Sequence, residues 1–81
     1  MEFDELGAAI ARLRRDKKIS QQTMAEHLGI SRTTISLLEK GRASDIGVRK
    51  ILKILHYLGH DLTIRTKQPW PTFEDLIDAN R

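Results

Sequence analysis

The stretch QQTMAEHLGISRTTISLLEK, residues 21–40, decides the fold of this chain. Apolar residues recur at helical spacing on both sides of Gly29, which predicts two short helices joined by a turn. Gly29 can adopt the positive φ that such a tight turn needs. Ser20 and Ser31 stand where the N-caps of the two helices should lie. The apolar positions are Met24, Ala25 and Leu28, then Ile30 in the turn, then Ile35 and Leu38.

Two helices joined in this way form a helix-turn-helix, which usually lays its second helix in the major groove of DNA. Two further segments show helical periodicity, one on each side of this motif. The later one has a broad apolar stripe, which predicts the main core helix; its members are Val48, Ile51, Leu52, Ile54, Leu55 and Leu58. We therefore expect an all-α fold with helices over residues 3–18, 21–28, 32–40 and 48–58.

The composition limits the classes of function. The chain has 81 residues and no cysteine, so we expect one small domain without a disulfide framework or a thiolate metal site. No apolar run is long enough to span a membrane, and the acidic start MEFDELG is not typical of a signal peptide. We therefore expect a cytoplasmic protein with no membrane partner.

The charge is unevenly distributed along the chain. Residues 1–67 contain thirteen lysines and arginines against eight acidic residues, whereas residues 68–81 contain one arginine against three acidic residues. A basic helical domain suits contact with phosphate, but a balance of this size also occurs in ordinary soluble domains. The basic residues at the end of the first helix have two interpretations of equal weight: they complement the helix dipole, or they contact phosphate. Its members are Arg14, Arg15, Lys17 and Lys18.

Residues 60–66, HDLTIRT, change from helical to alternating periodicity. This pattern predicts a strand over 61–66 with Leu62 and Ile64 on one face. A lone strand needs a partner, and the same strand from a second copy, antiparallel across a two-fold axis, provides one. We therefore expect a homodimer with Leu62 and Ile64 as dimerisation residues. The alternative is an isolated extended segment packed on the helix at 48–58.

Residues 67–81 are expected to form a C-terminal tail outside the domain at 1–66. Two prolines predict a stiff connection at its start, and the remainder has the pattern of a short amphipathic helix. Such a helix either packs on its own domain or orders on a partner protein. The candidate partner contacts are Trp70, Phe73, Leu76 and Ile77.

The motif resembles the Xre-type helix-turn-helix of phage repressors and Cro proteins over about residues 4–60. The residues that carry this resemblance are Gln21, Ala25, Gly29, Ile35, Leu38, Glu39 and Gly41. The family has five helices as a rule, and here the predicted strand replaces the fifth. With the run DIGVRKILKILHYLGHDLTIR at 45–65, this departure is similar to HipB-like antitoxins. The resemblance implies a lambda-repressor-like bundle of about four helices with a C-terminal β-strand that pairs across a dimer.

The resemblance also implies which residues read bases. Arg32 and Thr33 match the first exposed positions of the recognition helix, and Ser36 and Leu37 match reading positions one turn later. Arginine pairs bidentately with guanine O6 and N7, which independently favours Arg32 as a reader. Leu37 stands where a polar residue is common, so it either contacts a thymine methyl or belongs to the core.

Other positions match contacts to the DNA backbone. Gln21 matches the glutamine that clamps a phosphate, while Thr34 and Arg42 match backbone contacts in the recognition helix and the loop after it. Arg49 lies in the first turn of its helix, where the helix dipole disfavours a cation, so it either meets a phosphate or is simply solvated. Ser31 lies at the same interface and is expected to cap the recognition helix.

No pattern in the sequence favours catalysis. His56 and His60 are four residues apart, but Gly59 interrupts the helix between them, and no nucleophile elbow or phosphate loop is present. We therefore expect a protein that is not an enzyme and binds no cofactor or metal.

The expected function is that of a transcriptional repressor that binds a palindromic double-stranded DNA operator as a homodimer. The HipB-like resemblance further implies the antitoxin of a toxin–antitoxin operon, which regulates its own promoter and restrains a toxin such as a HipA-like kinase. The alternative is a stand-alone or phage-type repressor without a toxin partner.

Overall fold

The computed structural model describes residues 1–43 and 45–66, and within them the chain forms four α-helices. The helices are α1 (Phe3–Asp16), α2 (Gln21–Leu28), α3 (Arg32–Glu39) and α4 (Val48–Tyr57). The all-α prediction is confirmed for these residues, and three of the helices end one or two residues earlier than predicted. The predicted tail contacts Trp70, Phe73, Leu76 and Ile77 lie outside the described residues.

The core lies where one apolar face of each helix meets the others. The turn between α2 and α3 belongs to it, because Ile30 is buried against both helices' apolar side chains. This burial fixes the angle between the two helices of the motif. The fully buried large side chains are Ile10, Met24, Ile35, Leu38, Ile54 and Leu58.

The predicted helix starts at Ser20 and Ser31 are confirmed. Each serine Oγ accepts the backbone N–H of the residue three positions later, Thr23 at 3.0 Å and Thr34 at 3.1 Å. Each hydroxyl also donates to the hydroxyl of the same threonine, at 2.9 and 2.7 Å respectively. These bonds satisfy backbone donors that a helix N-terminus otherwise leaves without a partner.

The four described helices also end alike. At each end one residue adopts a left-handed conformation, and the next residue donates its backbone N–H to the carbonyl five positions earlier. The left-handed residues are Lys18, Gly29, Gly41 and Gly59. The closing bonds run from Ile19 to Arg14, Ile30 to Ala25, Arg42 to Leu37 and His60 to Leu55, at 3.2, 3.1, 2.8 and 2.8 Å.

Gly7 lets α1 lie directly against the end of α3. A Cβ at this position would overlap the backbone carbonyl oxygen of Leu38. Glycine in a helix interior costs about 1 kcal/mol relative to alanine, and the close approach of the two backbones accounts for its presence here.

The prediction for α4 was wrong at two positions. Val48 and Leu52 are 62% and 43% exposed, although the apolar stripe placed both in the core. Leu55 on the same helix and Leu58, directly after it, are buried. The stripe is wider than the surface that the described part of the domain offers it, so one flank of α4 is left uncovered.

Residues 61–66 form no strand within the described residues, and all six are exposed. Ile64 is 97% exposed and Leu62 is 49% exposed. The segment borders a groove whose walls include Leu6 and Leu13 of α1 and Leu55 of α4. A strand whose only partner is a second copy has nothing to pair with in a single chain, so the C-terminal strand stays a prediction.

Candidate nucleic-acid interface

Helix α3, the predicted recognition helix, presents one face to solvent and buries the other. Ile35 and Leu38 are both 0% exposed and anchor the helix in the core, whereas Arg32 and Thr33 are exposed at its first turn. The Ser31 cap fixes this turn, because its hydroxyl both accepts from the backbone and donates to the Thr34 side chain. The exposed side chains therefore project from a well-defined helix end.

The second turn of α3 adds one partly exposed and one exposed position. Ser36 is half-buried and Leu37 is 40% exposed. The alternative that Leu37 belongs to the core is therefore wrong. A leucine that remains accessible on this face is compatible with apolar contact to a thymine methyl group.

A buried ion pair joins the end of α1 to the end of α3. The guanidinium of Arg14 donates from Nε to Glu39 Oε2 at 2.7 Å and from Nη2 to Oε1 at 2.9 Å. Its Nη1 also donates to the carbonyl of Ile19 at 2.8 Å. The two side chains are only 9% and 4% exposed. Arg14 is therefore committed to the scaffold, and the phosphate interpretation of its basic cluster is wrong for this residue.

Both partners are held in their charged forms. Burial alone would raise the pKa of Glu39, but hydrogen bonds from Arg14 and Gln21, with the charges of Arg14 and Arg15, hold that pKa below its ordinary value. The hydrogen bond to Glu39 raises the pKa of Arg14 despite its desolvation. The bidentate geometry is the arrangement in which a desolvated arginine and carboxylate stabilise each other most.

Gln21, the predicted phosphate clamp, is connected to this pair. Its Nε2 donates to Glu39 Oε1 at 2.9 Å, and the residue is half-buried at the start of α2. A primary amide has two N–H hydrogens, so one bond to Glu39 leaves the second available for another acceptor. Glu39 therefore orients the amide, and the phosphate contact itself stays a prediction.

The predicted backbone-contacting cations are accessible. Arg42 lies just beyond α3, where its backbone N–H bonds to the carbonyl of Leu37 at 2.8 Å while its side chain is exposed. Arg49 and Lys50 are exposed in the first turn of α4. The helix ends therefore fix the backbone at these positions and leave the charged groups free to reach a ligand.

Sequence reasoning missed the pairing of Arg14. Arg14 lies four residues after the core residue Ile10, so it falls on the apolar stripe of α1. A basic residue on such a stripe signals a buried partner, because an unpaired charge is too costly to bury. That signal was available, although it does not identify Glu39 as the partner.

Polar contacts between α2 and α4 were also missed. Lys53 Nζ donates to the carbonyl of Leu28, the last residue of α2. His27 Nδ1 lies 2.7 Å from the hydroxyl of Tyr57, and their rings meet edge to face with centroids 5.8 Å apart. These contacts hold α4 against the helix that supports the motif.

Residues 1–43 and 45–66 contain no group of three His, Cys, Asp or Glu side chains placed to hold a metal ion. None of the four helices in that part of the chain has the length and apolarity needed to cross a bilayer.

Residues 4–67 match a family model described as a helix-turn-helix domain. The matched range contains α2, α3, α4 and all of α1 except Phe3. This chain belongs to the helix-turn-helix domain family. The match supports the Xre-like resemblance, while the HipB-like resemblance stays a prediction. No curated protein matches the chain.

Proposed function

We propose that this helix-turn-helix protein is a sequence-specific DNA-binding repressor that acts as a homodimer on a palindromic operator. The observation that carries the proposal is the two-sided character of α3. Ile35 and Leu38 are fully buried, while Arg32, Thr33 and Leu37 remain exposed on a helix capped at both ends. A helix fixed in this way can enter the major groove without losing its support.

The proposal divides the contacts into base reading and positioning. Arg32 reads guanine, with Thr33, Ser36 and Leu37 completing the reading face. The backbone contacts position the dimer, so that the two recognition helices lie one turn of DNA apart, about 34 Å. The positioning residues are Gln21, Ser31, Thr34, Arg42 and Arg49.

The test of this proposal starts with selection of the operator from random DNA and measurement of its affinity by fluorescence anisotropy. Arg32→Ala should relax the preference at one base position per half-site by about 1–3 kcal/mol, because the bidentate pair is lost. Arg32→Lys is the matched variant: it keeps the charge but not the planar fork, so it should weaken the preference, though less than Arg32→Ala does. Unchanged preference in both variants would show that α3 does not read DNA through Arg32.

Gln21→Ala tests the positioning contacts separately. It should weaken binding to all sequences about equally, because a phosphate contact carries no base information. Gln22→Ala is the control, since Gln22 is exposed and its amide bonds to Glu26 on the same helix at 2.9 Å. Equal effects of the two substitutions would remove Gln21 from the interface.

We extend the proposal to an antitoxin that represses its own operon and restrains a toxin, such as a HipA-like kinase. Two features support it: residues 61–66 add no fifth helix after α4, and the sequence continues with Trp70, Phe73, Leu76 and Ile77 as candidate toxin contacts. A chain lacking residues 68–81 should still bind the operator but fail to restrain the product of a neighbouring toxin gene. Restraint by the shortened chain would exclude these contacts, and the absence of such a gene would favour a stand-alone or phage-type repressor.

A further inference from the structure

Residues 61–65, DLTIR, form a segment whose residue types on one side of Thr63 are chemically complementary to those on the other side. Moving outward from Thr63, the two neighbours are both aliphatic, and the next two carry opposite charges. All of these side chains are exposed, and within the described residues the backbone of 61–66 makes no hydrogen bond. Both the side chains and the backbone groups are therefore available to a partner.

We propose that two copies of this segment pair antiparallel with Thr63 opposite Thr63 of the second copy. This inference rests on the proposed homodimer and specifies its register. Asp61 then lies opposite Arg65 of the second copy, and Leu62 lies opposite its Ile64. The two-fold axis repeats both pairs, which gives two ion pairs on one face and two aliphatic pairs on the other. Pairs of these kinds are the units that stabilise an antiparallel sheet.

Other registers lose this complementarity. A shift of one residue places Leu62 opposite Thr63 and mixes the two faces of the ladder. Centring the pair on Leu62 or on Ile64 separates Asp61 from Arg65 of the second copy. Centring it on Asp61 or on Arg65 places like charges directly opposite each other, which is destabilising.

The apolar surface beside the segment agrees with a second copy as the occupant. Leu62 lines a second hollow with Phe3 and Leu6 of α1, and Leu6 and Leu62 also line the groove described above. In the proposed register, Ile64 of the second copy lies next to Leu62 and therefore next to this apolar surface. Ile64 is 97% exposed in the single chain, so the pairing covers the most exposed aliphatic side chain of the segment.

Cysteine cross-linking tests the register directly, because the native chain has no cysteine. Thr63→Cys should form an intermolecular disulfide under mild oxidation, since directly opposite residues in a ladder lie within disulfide range. Leu62→Cys and Ile64→Cys should each cross-link poorly alone and efficiently when mixed. Efficient self-linking of Leu62→Cys or of Ile64→Cys, read on a non-reducing gel, would overturn the register by moving its centre to that residue.

Charge exchange supplies a second test that does not depend on oxidation. Asp61→Arg and Arg65→Asp should each weaken their own homodimer roughly tenfold or more, because like charges then face each other twice. Mixed together, the two variants should form a heterodimer in which both pairs are complementary again. Native mass spectrometry that finds no preference for the heterodimer would overturn the pairing of residues 61 and 65.

The wild-type protein separates failure of the register from failure of the dimer. If sedimentation shows a monomer at every concentration, the homodimer and the repressor mechanism built on it both fail. If it shows a dimer while no position from 62 to 64 cross-links, alone or mixed, the dimer stands and this ladder does not.

Discussion

The α1–α3 half of the domain differs from the surface formed by α4 and residues 61–66 in how its side chains are paired and buried. The first half contains the bidentate Arg14–Glu39 pair, whose side chains are only 9% and 4% exposed. The second surface exposes aliphatic side chains at Val48, Leu52 and Ile64. The difference indicates that α3 has its own scaffold, whereas the C-terminal surface is suited to a partner.

The largest expected effect breaks the scaffold at its ion pair. Glu39→Gln should lower the free energy of unfolding by about 3–5 kcal/mol, because it leaves Arg14 buried without a counter-charge. Urea denaturation followed by circular dichroism measures the loss. Glu26→Gln is the control, since Glu26 is exposed and accepts only a bond from Gln22 among the described contacts. Similar losses in the two variants would mean that the pair does not support the fold.

The pH dependence of the same pair gives an independent check. The pKa of Glu39 is lowered in the folded protein, so the pair stabilises fully above the unfolded-state pKa. That contribution disappears as the pH falls through the folded-state pKa. The double variant Arg14→Met/Glu39→Leu removes both charges, so it should recover most of the loss seen in Glu39→Gln and show a weaker loss of stability in acid. An unchanged acid dependence would assign the effect to other carboxylates.

The sequence predicted the parts of this scaffold that depend on near neighbours. The caps at Ser20 and Ser31 and the turn at Gly29 each involve residues within a few positions, so local patterns are sufficient. The Arg14–Glu39 pair and the contact of Gly7 with Leu38 join residues far apart in sequence, and local patterns cannot pair them.

The sequence also predicted too wide a buried stripe for α4. A hydrophobic stripe shows which residues avoid water in the final assembly, not whether a neighbouring helix or another molecule covers them. Val48 and Leu52 fit the stripe and yet are exposed. Base reading by Arg32 and the phosphate contact of Gln21 depend on a ligand. The structure places both side chains where DNA could reach them, and the contacts themselves stay predictions.

The next prediction compares the contributions of two leucines of the C-terminal half to stability. Leu58 is 0% exposed and Leu52 is 43% exposed. Leu58→Ala should cost about 2–5 kcal/mol of stability through loss of packing and a cavity. Leu52→Ala should change the stability of the single chain by less than about 0.5 kcal/mol.

The measurement is urea denaturation at a protein concentration low enough to keep the chain monomeric, because dimerisation would add its own contribution. If Leu52→Ala lowers stability only at higher protein concentration, Leu52 stabilises the dimer and not the single chain. That result would support the contrast between the two halves. A large loss in the monomer would instead place Leu52 in the domain's own core and contradict its assignment to the open surface.

The smallest expected effect is a gain in stability at the end of α1, in the α1–α3 half of the domain. Lys18 ends α1 in a left-handed conformation with φ 58°, where the three other described helices use glycine. A side chain costs about 1–2 kcal/mol in this conformation, and part of that cost is offset because glycine is freer in the unfolded chain. Lys18→Gly should therefore raise the free energy of unfolding by about 0.5–1 kcal/mol.

The neighbouring Lys17 provides the matched control, because it has a negative φ of −86°. Lys17→Gly removes the same charge but relieves no left-handed strain, so it should lower stability by up to about 1 kcal/mol. Opposite signs in thermal denaturation would assign the gain to backbone conformation. Equal shifts in the two variants would assign the gain in stability to the loss of positive charge at the end of α1. The stability of the α1–α3 scaffold would then depend on charge repulsion in this cluster and not on the left-handed conformation of Lys18.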